Sequence, residues 1–329
     1  MLIVVILEST ESLLIKMSSL LDSIAVTLYN INPSLCDSPP RGLEDEFCYL
    51  GPNGKKDGAI LCRDIAYEHS ISVGSWMLEP KKIVIEGIVG ISICFLMLIW
   101  LIPKLRAIFP MMKTIQHPKG SPLLSLFCLT MILYYKIIGF KNKVFYIVMP
   151  CNFQWCLSFL QCYVVPNSYK FMHYSMLQMR LSYLMSVVIA IATPETDDCT
   201  AFGEYEFYWI NHFLLLLLPL AYIMNGSVSC YPSGSSRCSI LAYNFYWWLF
   251  SCICFFIFYF GPVTLIAIST GLNLNFMLHP PNDHFLLKGQ NFRIVATASL
   301  GFFYAVSRVI CLNVEKSFGP ANKLRIKSQ

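Results

Sequence analysis

Charged residues are scarce in this chain. Only 13% of its 329 residues are Asp, Glu, Lys or Arg, whereas a soluble domain carries about 25%. Hydrophobic residues make up 56%, and the mean hydropathy is +0.57. So little charge would not cover the surface of a soluble protein of this length. The composition therefore argues against a soluble enzyme, a disordered chain and a nucleic-acid-binding protein, and it favours an integral membrane protein.

Sequence motifs for cofactors and metals are missing as well. The chain has no HExxH, no Walker A loop and no GxGxxG, the common signatures of zinc, phosphate and dinucleotide sites. Its 14 cysteines show no zinc-type CxxC…CxxC spacing. Many of them lie in apolar runs, where cysteine behaves as a small hydrophobic residue. We therefore expect no cofactor and no metal. Cys36, Cys48 and Cys62 lie in a polar stretch and would form disulfides only in a lumenal environment.

The chain is predicted to have three parts. Residues 1–82 form a loop-rich extramembrane segment, residues 83–312 a transmembrane helical domain and residues 313–329 a basic tail. A membrane-spanning helix needs about 20 predominantly apolar residues. The segments that meet this criterion are Ile83–Ile102, Leu123–Phe140, Val144–Val165, Met176–Ala192, Phe207–Met224, Leu241–Ile268 and Phe292–Leu312. The expected fold class is all-α, a polytopic transmembrane helical bundle of about seven spans, with six to eight remaining open.

The third and sixth segments contain helix-disrupting residues that are expected to alter the helix, and the loops carry an orientation signal. Pro150 lies one turn inside the third segment, and the long sixth segment is expected to tilt or break near Gly261–Pro262. Lysine and arginine follow the first span and fill the C-terminal tail. Basic loops favour the cytosol, so seven spans predict a lumenal N-terminus and a cytosolic C-terminus. The sequon at Asn225 then falls on the cytosolic side and stays unused.

His212 is the most conspicuous polar residue at membrane depth. Glu204, Tyr208 and His212 follow one another at intervals of four, so they lie along one helical face. A carboxylate and a phenol beside an imidazole could tune and orient a general base. The alternative interpretation is a histidine that only forms a hydrogen bond between helices.

Cys151 follows Pro150 at the start of a helical segment. The positive end of the helix dipole favours the thiolate there, although Cys151 is also compatible with a purely apolar role. The predicted topology places the starts of the third and fifth spans on the same side, so Cys151 and His212 have similar depth. The loop containing Asn273 and Asn275 faces that side too. A cysteine nucleophile, a histidine base and an asparagine that orients the base would suit acyl transfer.

Arg293 at the head of the last span has two interpretations that the sequence leaves open. Its guanidinium could bind a lipid phosphate, or it could anchor the helix at the membrane interface.

Three patches of the sequence resemble the transmembrane protein 164 family. Tyr146–Cys151 reads YIVMPC, similar to a tyrosine-apolar-apolar-Asn-Pro-Cys-His motif. Gly203–Pro219 reads GEYEFYWINHFLLLLLP, with the acidic, aromatic, amide, histidine and proline positions of the family in step. Thr270–Pro280 reads TGLNLNFMLHP, similar to a stretch with two asparagines before Met-Leu-Cys-Pro. Met149 stands where the family has Asn, and Asn152 where it has His.

The resemblance implies an enzyme of lipid remodelling. Members of this family are multi-pass acyltransferases that move polyunsaturated acyl chains, notably arachidonoyl, onto lyso ether-phospholipids. A phospholipid rather than acyl-CoA is their donor. Carried over by motif, the functional pair is Cys151 and His212. The implied partners are a phospholipid donor, a lysophospholipid acceptor and the bilayer, without nucleic acid, and the implied location is the endoplasmic reticulum or Golgi membrane.

Other functions remain open at the level of sequence. An intramembrane lipid ester hydrolase would use water in place of the lysolipid. An O-acyltransferase with His212 as base would take its acyl chain from acyl-CoA. A lipid scaffold, scramblase or transporter would not catalyse a reaction, although the chain lacks the internal repeats that are typical of transporters.

Overall fold

The computed structural model describes residues 80–109, 120–138, 143–194, 196, 199, 201–231, 240–270 and 292–319. Every regular element in these ranges is helical. In chain order the elements are α1 (Pro80–Ile108), α2 (Ser121–Ile138), a 3-10 helix (Lys143–Val148), α3 (Pro150–Phe159) with a π-helical turn (Leu160–Val164), α4 (Lys170–Ser182), α5 (Leu184–Ala192), α6 (Glu204–Met224), α7 (Ile240–Phe258) with a π-helical turn (Tyr259–Val263), α8 (Thr264–Thr270) and α9 (Phe292–Phe318).

Six helical stretches within the described ranges are long and apolar enough to cross a membrane. They are Ile85–Ile108, Ser121–Ile138, Lys170–Ala192, Glu204–Met224, Ile240–Ala267 and Arg293–Phe318. Large apolar side chains are widely exposed, for example Ile99 at 70% and Leu123 at 71%. Exposed apolar surface of this kind is expected where lipid replaces water as the solvent. The predicted all-α polytopic bundle is thus confirmed.

The third predicted span differs from the structure in its first half. Residues Lys143–Val148 form a 3-10 helix, and Pro150 begins α3 rather than lying inside it. The residue before a proline avoids the helical region, and Met149 is extended with ψ of 145°. Proline then suits the first helical position, since its missing N–H would have no partner there. From Pro150 to Val164 the helix spans about 22 Å, less than the roughly 30 Å of a bilayer core.

The predicted irregularity near Gly261–Pro262 takes the form of the π-helical turn at Tyr259–Val263. Pro262 has no N–H to donate, and the wider turn accommodates it within an otherwise continuous helical path. The boundaries of α2, α6 and α7–α8 agree with the prediction to within three residues. Helix α1 ends six residues later than predicted, the fourth segment begins six residues earlier and is divided into α4 and α5 at Tyr183, and α9 continues to Phe318. Residues 1–79 and 320–329, which include most of the predicted extramembrane segment and tail, lie outside the described residues.

The chain divides into two compact units. The first comprises Met1–Cys94 and Phe256–Ala296, and the second comprises Phe95–Phe255 and Thr297–Gln329. In the first unit, the start of α1 approaches the π-helical turn closely. A Cβ on Gly87 would lie only 3.5 Å from the carbonyl oxygen of Phe260.

In the second unit, α2 runs antiparallel to both α3 and α6. Ser125, near the start of α2, lies 2.6 Å from Ser158, near the end of α3. Ser121, the first residue of α2, lies 3.4 Å from the hydroxyl of Tyr222 near the end of α6. Because α3 and α6 both oppose α2, these two helices begin at the same end of the unit. The starts of α3 and α6, which carry the candidate site residues, therefore lie at one end of the second unit.

Candidate functional site

Helix α6 has a constrained beginning. Gly203 precedes it in the left-handed region with φ of 76°, where glycine is strongly preferred. A Cβ at this position would lie 3.1 Å from the hydroxyl oxygen of Tyr135. Glu204 and Glu206 occupy the first turn, where the helix dipole favours negative charge. The buried Glu204 accepts a hydrogen bond from the backbone N–H of Ala201 at 3.2 Å, so this carboxylate stabilises the helix start.

Tyr208 and His212 lie on the next two turns of α6, and the structure gives them roles that their spacing did not predict. The hydroxyl of Tyr208 donates to the carbonyl of Ala190 in α5 at 2.6 Å. It is the backbone carbonyl of Tyr208 that lies 2.7 Å from Nδ1 of His212. The two rings pack with their centroids 4.1 Å apart. A carbonyl oxygen only accepts hydrogen bonds, so Nδ1 carries the proton and Nε2 is left to accept one.

Cys151 is the second residue of α3 and is half-buried. Its Sγ lies 3.9 Å from Oδ1 of Asn152, which accepts from the thiol. Nδ2 of Asn152 donates to the carbonyl of Tyr146 in the 3-10 helix at 2.7 Å. Asn152 therefore connects the thiol to the turn that precedes α3, at the position where the family motif has histidine.

The thiol of Cys151 and the imidazole of His212 are close electrostatic neighbours. The two residues come from helices that begin at the same end of the second unit. The structure thus brings together the cysteine and the histidine that the sequence placed at similar depth.

A second bond between α3 and α6 lies beside this pair. Nε1 of Trp155 donates to Oδ1 of Asn211. Trp155 is 0% exposed, and it lies one turn after Cys151, while Asn211 directly precedes His212. Sequence analysis missed this bond. The sequence does contain the two residues, an amide in the apolar run of α6 and a tryptophan four residues after the cysteine. It does not indicate that they bond to each other.

Arg293 belongs to the first unit and is buried. Its Nη1 lies 3.4 Å from Oε2 of Glu86. Its Nη2 donates to Oγ1 of Thr264 at 3.1 Å, and its guanidinium carbon lies 4.7 Å from the ring centroid of Phe260. The structure therefore shows Arg293 in a buried ion pair, and binding of a lipid phosphate remains a prediction.

Asn273 and Asn275 lie outside the described residues. Within the described part of the chain, no cluster of three or more His, Cys, Asp or Glu side chains could hold a metal ion. The chemical groups at hand are a thiol and an imidazole whose tautomer is fixed by the backbone, the combination that nucleophilic catalysis requires.

Comparison with known proteins gives one named relative. No protein-family model matches the chain, and no solved structure matches it. The chain is similar to the Transmembrane protein 164 homolog of Dictyostelium discoideum, with 26% identity over 153 residues. The match covers 45% of this chain and 49% of that relative, so it spans about half the length of each. The resemblance of this chain to the transmembrane protein 164 family is thereby confirmed.

Proposed function

We propose that this membrane protein is a phospholipid acyltransferase that forms an acyl thioester on Cys151. The donor is a phospholipid, the acceptor is a lyso ether-phospholipid, and the chain transferred is polyunsaturated. The single observation that carries the proposal is the proximity of the Cys151 thiol to the His212 imidazole, whose Nδ1 is held by the carbonyl of Tyr208, within an apolar helical bundle. A thiol paired with a histidine base is an activated nucleophile.

The first half-reaction transfers the acyl chain to the enzyme. Nε2 of His212 takes the thiol proton, and the sulfur of Cys151 attacks the ester carbonyl of the donor. A carbon–sulfur bond forms and the ester carbon–oxygen bond breaks. The imidazolium then returns its proton to the departing lysophospholipid oxygen.

The second half-reaction regenerates the thiol. His212 takes the proton of the acceptor hydroxyl, whose oxygen attacks the thioester carbonyl. The carbon–sulfur bond breaks, a new ester forms, and the sulfur of Cys151 regains a proton from the imidazolium. No acyl-CoA and no metal are needed for these steps.

The position of His212 supports this role. The carbonyl of Tyr208 holds the proton on Nδ1, so Nε2 is the basic nitrogen available to the thiol. The Trp155–Asn211 bond holds α3 against α6 beside the pair. Pre-organisation of this kind favours the reaction, because the entropic cost of bringing nucleophile and base together is met when the protein folds.

The membrane environment follows from the lipid substrates. We place the protein in endoplasmic reticulum or Golgi membranes, with the N-terminus lumenal and the C-terminus cytosolic. The six apolar helices support an integral membrane location, and the compartment and orientation belong to the proposal.

The test is acyl transfer by the full-length chain in proteoliposomes without acyl-CoA. The donor phospholipid carries an isotope-labelled arachidonoyl chain, and the acceptor is a lyso ether-phospholipid. We expect labelled ether phospholipid from the wild type and a loss of about 100-fold or more for Cys151→Ala and for His212→Ala. Without acceptor, a label that hydroxylamine releases should accumulate on Cys151.

Cys156→Ala is the matched control, since Cys156 lies in the same helix and is also half-buried. It should retain acyl transfer and thioester labelling. Wild-type activity in both Cys151→Ala and His212→Ala would contradict the proposal. Release of free fatty acid without consumption of lysolipid would indicate a hydrolase, and a requirement for acyl-CoA would contradict the proposed donor.

A further inference from the structure

Arg180 is a fully buried arginine in the second unit. It lies in α4, and its side chain is 0% exposed. No carboxylate in the described part of the chain pairs with it. Its neighbours are the amide of Gln161 and the ring of Tyr222, whose centroid lies 5.8 Å from the guanidinium carbon.

The hydroxyl of Tyr222 also lies near the Arg180 guanidinium, but several buried N–H groups of Arg180 and Gln161 still have no partner among the described residues. Nη1 of Arg180 donates to Oε1 of Gln161 at 3.5 Å. Nε and Nη2 of Arg180 have no partner among the described residues, and neither has Nε2 of Gln161. Three buried N–H-bearing nitrogens from two helical segments are therefore unsatisfied.

Arg308, a second buried arginine among the described residues of this unit, shows the contrast. Arg308 is 3% exposed, and its guanidinium donates to Oδ1 of Asn244 and to Oε1 of Gln178. Burying an unpaired charge costs several kcal/mol, so the unsatisfied donors of Arg180 require an acceptor. A cation with several free N–H groups fits an oxyanion, and the planar fork of arginine suits phosphate.

The cluster lies near the ends of two helices. Tyr222 is close to the end of α6 at Met224, and it contacts Ser121, the first residue of α2. Arg180 itself lies inside the stretch Lys170–Ala192, opposite these helix ends. Gln161 follows Cys151 by ten residues and Tyr222 follows His212 by ten, a distance of about 15 Å along each helix.

This distance separates the cluster from the proposed acyl-transfer site. In a glycerophospholipid the ester carbonyl and the phosphate are only a few bonds apart. A lipid whose ester lies at Cys151 cannot therefore also place its phosphate at Arg180.

We propose that Arg180 and Gln161 form a phosphate-binding site that is distinct from the Cys151–His212 pair. Its ligand is a phosphate group, supplied by the headgroup of a second phospholipid or by inorganic phosphate. The guanidinium supplies the charge and two N–H donors, and the amide of Gln161 supplies a third. Binding does not depend on acyl transfer, so the two proposals can fail independently.

The experiment measures the thermal unfolding midpoint of the full chain in detergent micelles. One series adds inorganic phosphate at constant ionic strength, with chloride as the comparison. A second series adds phosphatidic acid to the micelles, with diacylglycerol as the comparison, because these lipids differ only in the phosphate. A ligand that binds the native state raises the midpoint. We expect a saturable rise of the unfolding midpoint with phosphatidic acid, with inorganic phosphate or with both. The series that shows the rise identifies whether the bound phosphate comes from a lipid headgroup or from free phosphate.

Three variants test which residues hold the ligand. Arg180→Met removes the charge with little change in volume, and we expect at least about tenfold weaker half-saturation. Arg180→Lys keeps the charge without the fork, and Gln161→Leu removes one donor, so both should weaken binding by smaller factors. Arg308→Met is the matched control. It should lower the midpoint without ligand and keep the phosphate-dependent rise.

The ligand-free protein gives an independent readout. Arg180→Met should unfold at the wild-type midpoint or above it, because it removes an unpaired buried charge. A midpoint well below wild type would indicate a structural arginine and overturn the proposal. So would an equal rise with chloride or diacylglycerol, no rise with any phosphate, or a rise that Arg180→Met and Gln161→Leu both retain.

Discussion

Trp155 donates its indole N–H to the side-chain oxygen of Asn211, and this bond joins the residue one turn after Cys151 to the residue directly before His212. Each partner is at most one turn from a member of the Cys–His pair. A polar contact between α3 and α6 therefore lies next to the Cys–His pair.

The first prediction concerns this contact. Trp155→Phe should lower the rate of the proposed acyl transfer about tenfold, because a small displacement of nucleophile from base is costly. It should also destabilise the protein by about 1–3 kcal/mol, since the buried Oδ1 of Asn211 loses its donor. The measurements are transfer rate and chemical unfolding of the same preparation.

The double variant distinguishes a specific bond from bulk packing. Trp155→Phe with Asn211→Leu should be no worse than the more damaging single change, because both remove the same bond. Fully additive losses in rate would contradict a positioning role for the bond.

The second prediction concerns the start of α6. Gly203→Ala should destabilise the protein by about 1–2 kcal/mol, since a left-handed conformation is unfavourable for residues with a Cβ. The added Cβ would also lie 3.1 Å from the hydroxyl of Tyr135. Gly301→Ala is the control, because Gly301 is helical and its nearest contacts lie at 3.9 Å and 4.0 Å. It should be neutral or stabilising by about 0.5–1 kcal/mol, and equal losses in both variants by chemical unfolding would refute the explanation.

The third prediction concerns the buried ion pair of the first unit. Glu86→Gln and Arg293→Met should each destabilise the protein by about 3–5 kcal/mol, because each leaves one buried charge without its partner. Glu86→Met combined with Arg293→Met should recover part of this loss, as a well-packed apolar pair replaces the charges. The measurement compares the unfolding midpoints of the single variants with that of the double variant. If Glu86→Gln has no effect, the role of Arg293 lies outside this pair.

The fourth prediction concerns membrane orientation. Asn225 is exposed in the turn after α6, yet it should carry no glycan, because that turn is predicted to be cytosolic. Asp198→Asn completes a sequon with Thr200 in a loop predicted to be lumenal, and this variant should gain a glycan. The measurement is an endoglycosidase-sensitive shift in electrophoretic mobility. A glycan on Asn225 would contradict the predicted topology. A lack of glycan in the Asp198→Asn variant would contradict it too.

Much of the fold was accessible from the sequence because the bilayer imposes a simple rule. Backbone polar groups must be satisfied within each segment, so long apolar runs become helices. Local chemistry also decided some boundaries. Pro150 begins α3 and Gly203 precedes α6 for reasons that lie in their own backbone preferences. The third segment was placed less well, since hydropathy does not distinguish a full span from a 3-10 helix followed by a shorter helix.

The candidate site was accessible in part. Alternation of helix direction was enough to place Cys151 and His212 at the same end, and family motifs named the same two residues. The function of the hydroxyl and carbonyl of Tyr208 was not accessible, because residue spacing gives the face of a helix and not the atom that forms a bond.

By itself, the sequence determined that this protein is a membrane-embedded helical bundle with a few polar residues at depth, because composition and apolar run length are properties of the chain alone. Only the tertiary structure decided which polar residues meet. It paired Trp155 with Asn211 and Arg293 with Glu86, and among the described residues it placed no carboxylate against Arg180. Hydrogen bonds and ion pairs depend on distances of a few ångströms between helices, and those distances are set by packing that no single segment encodes.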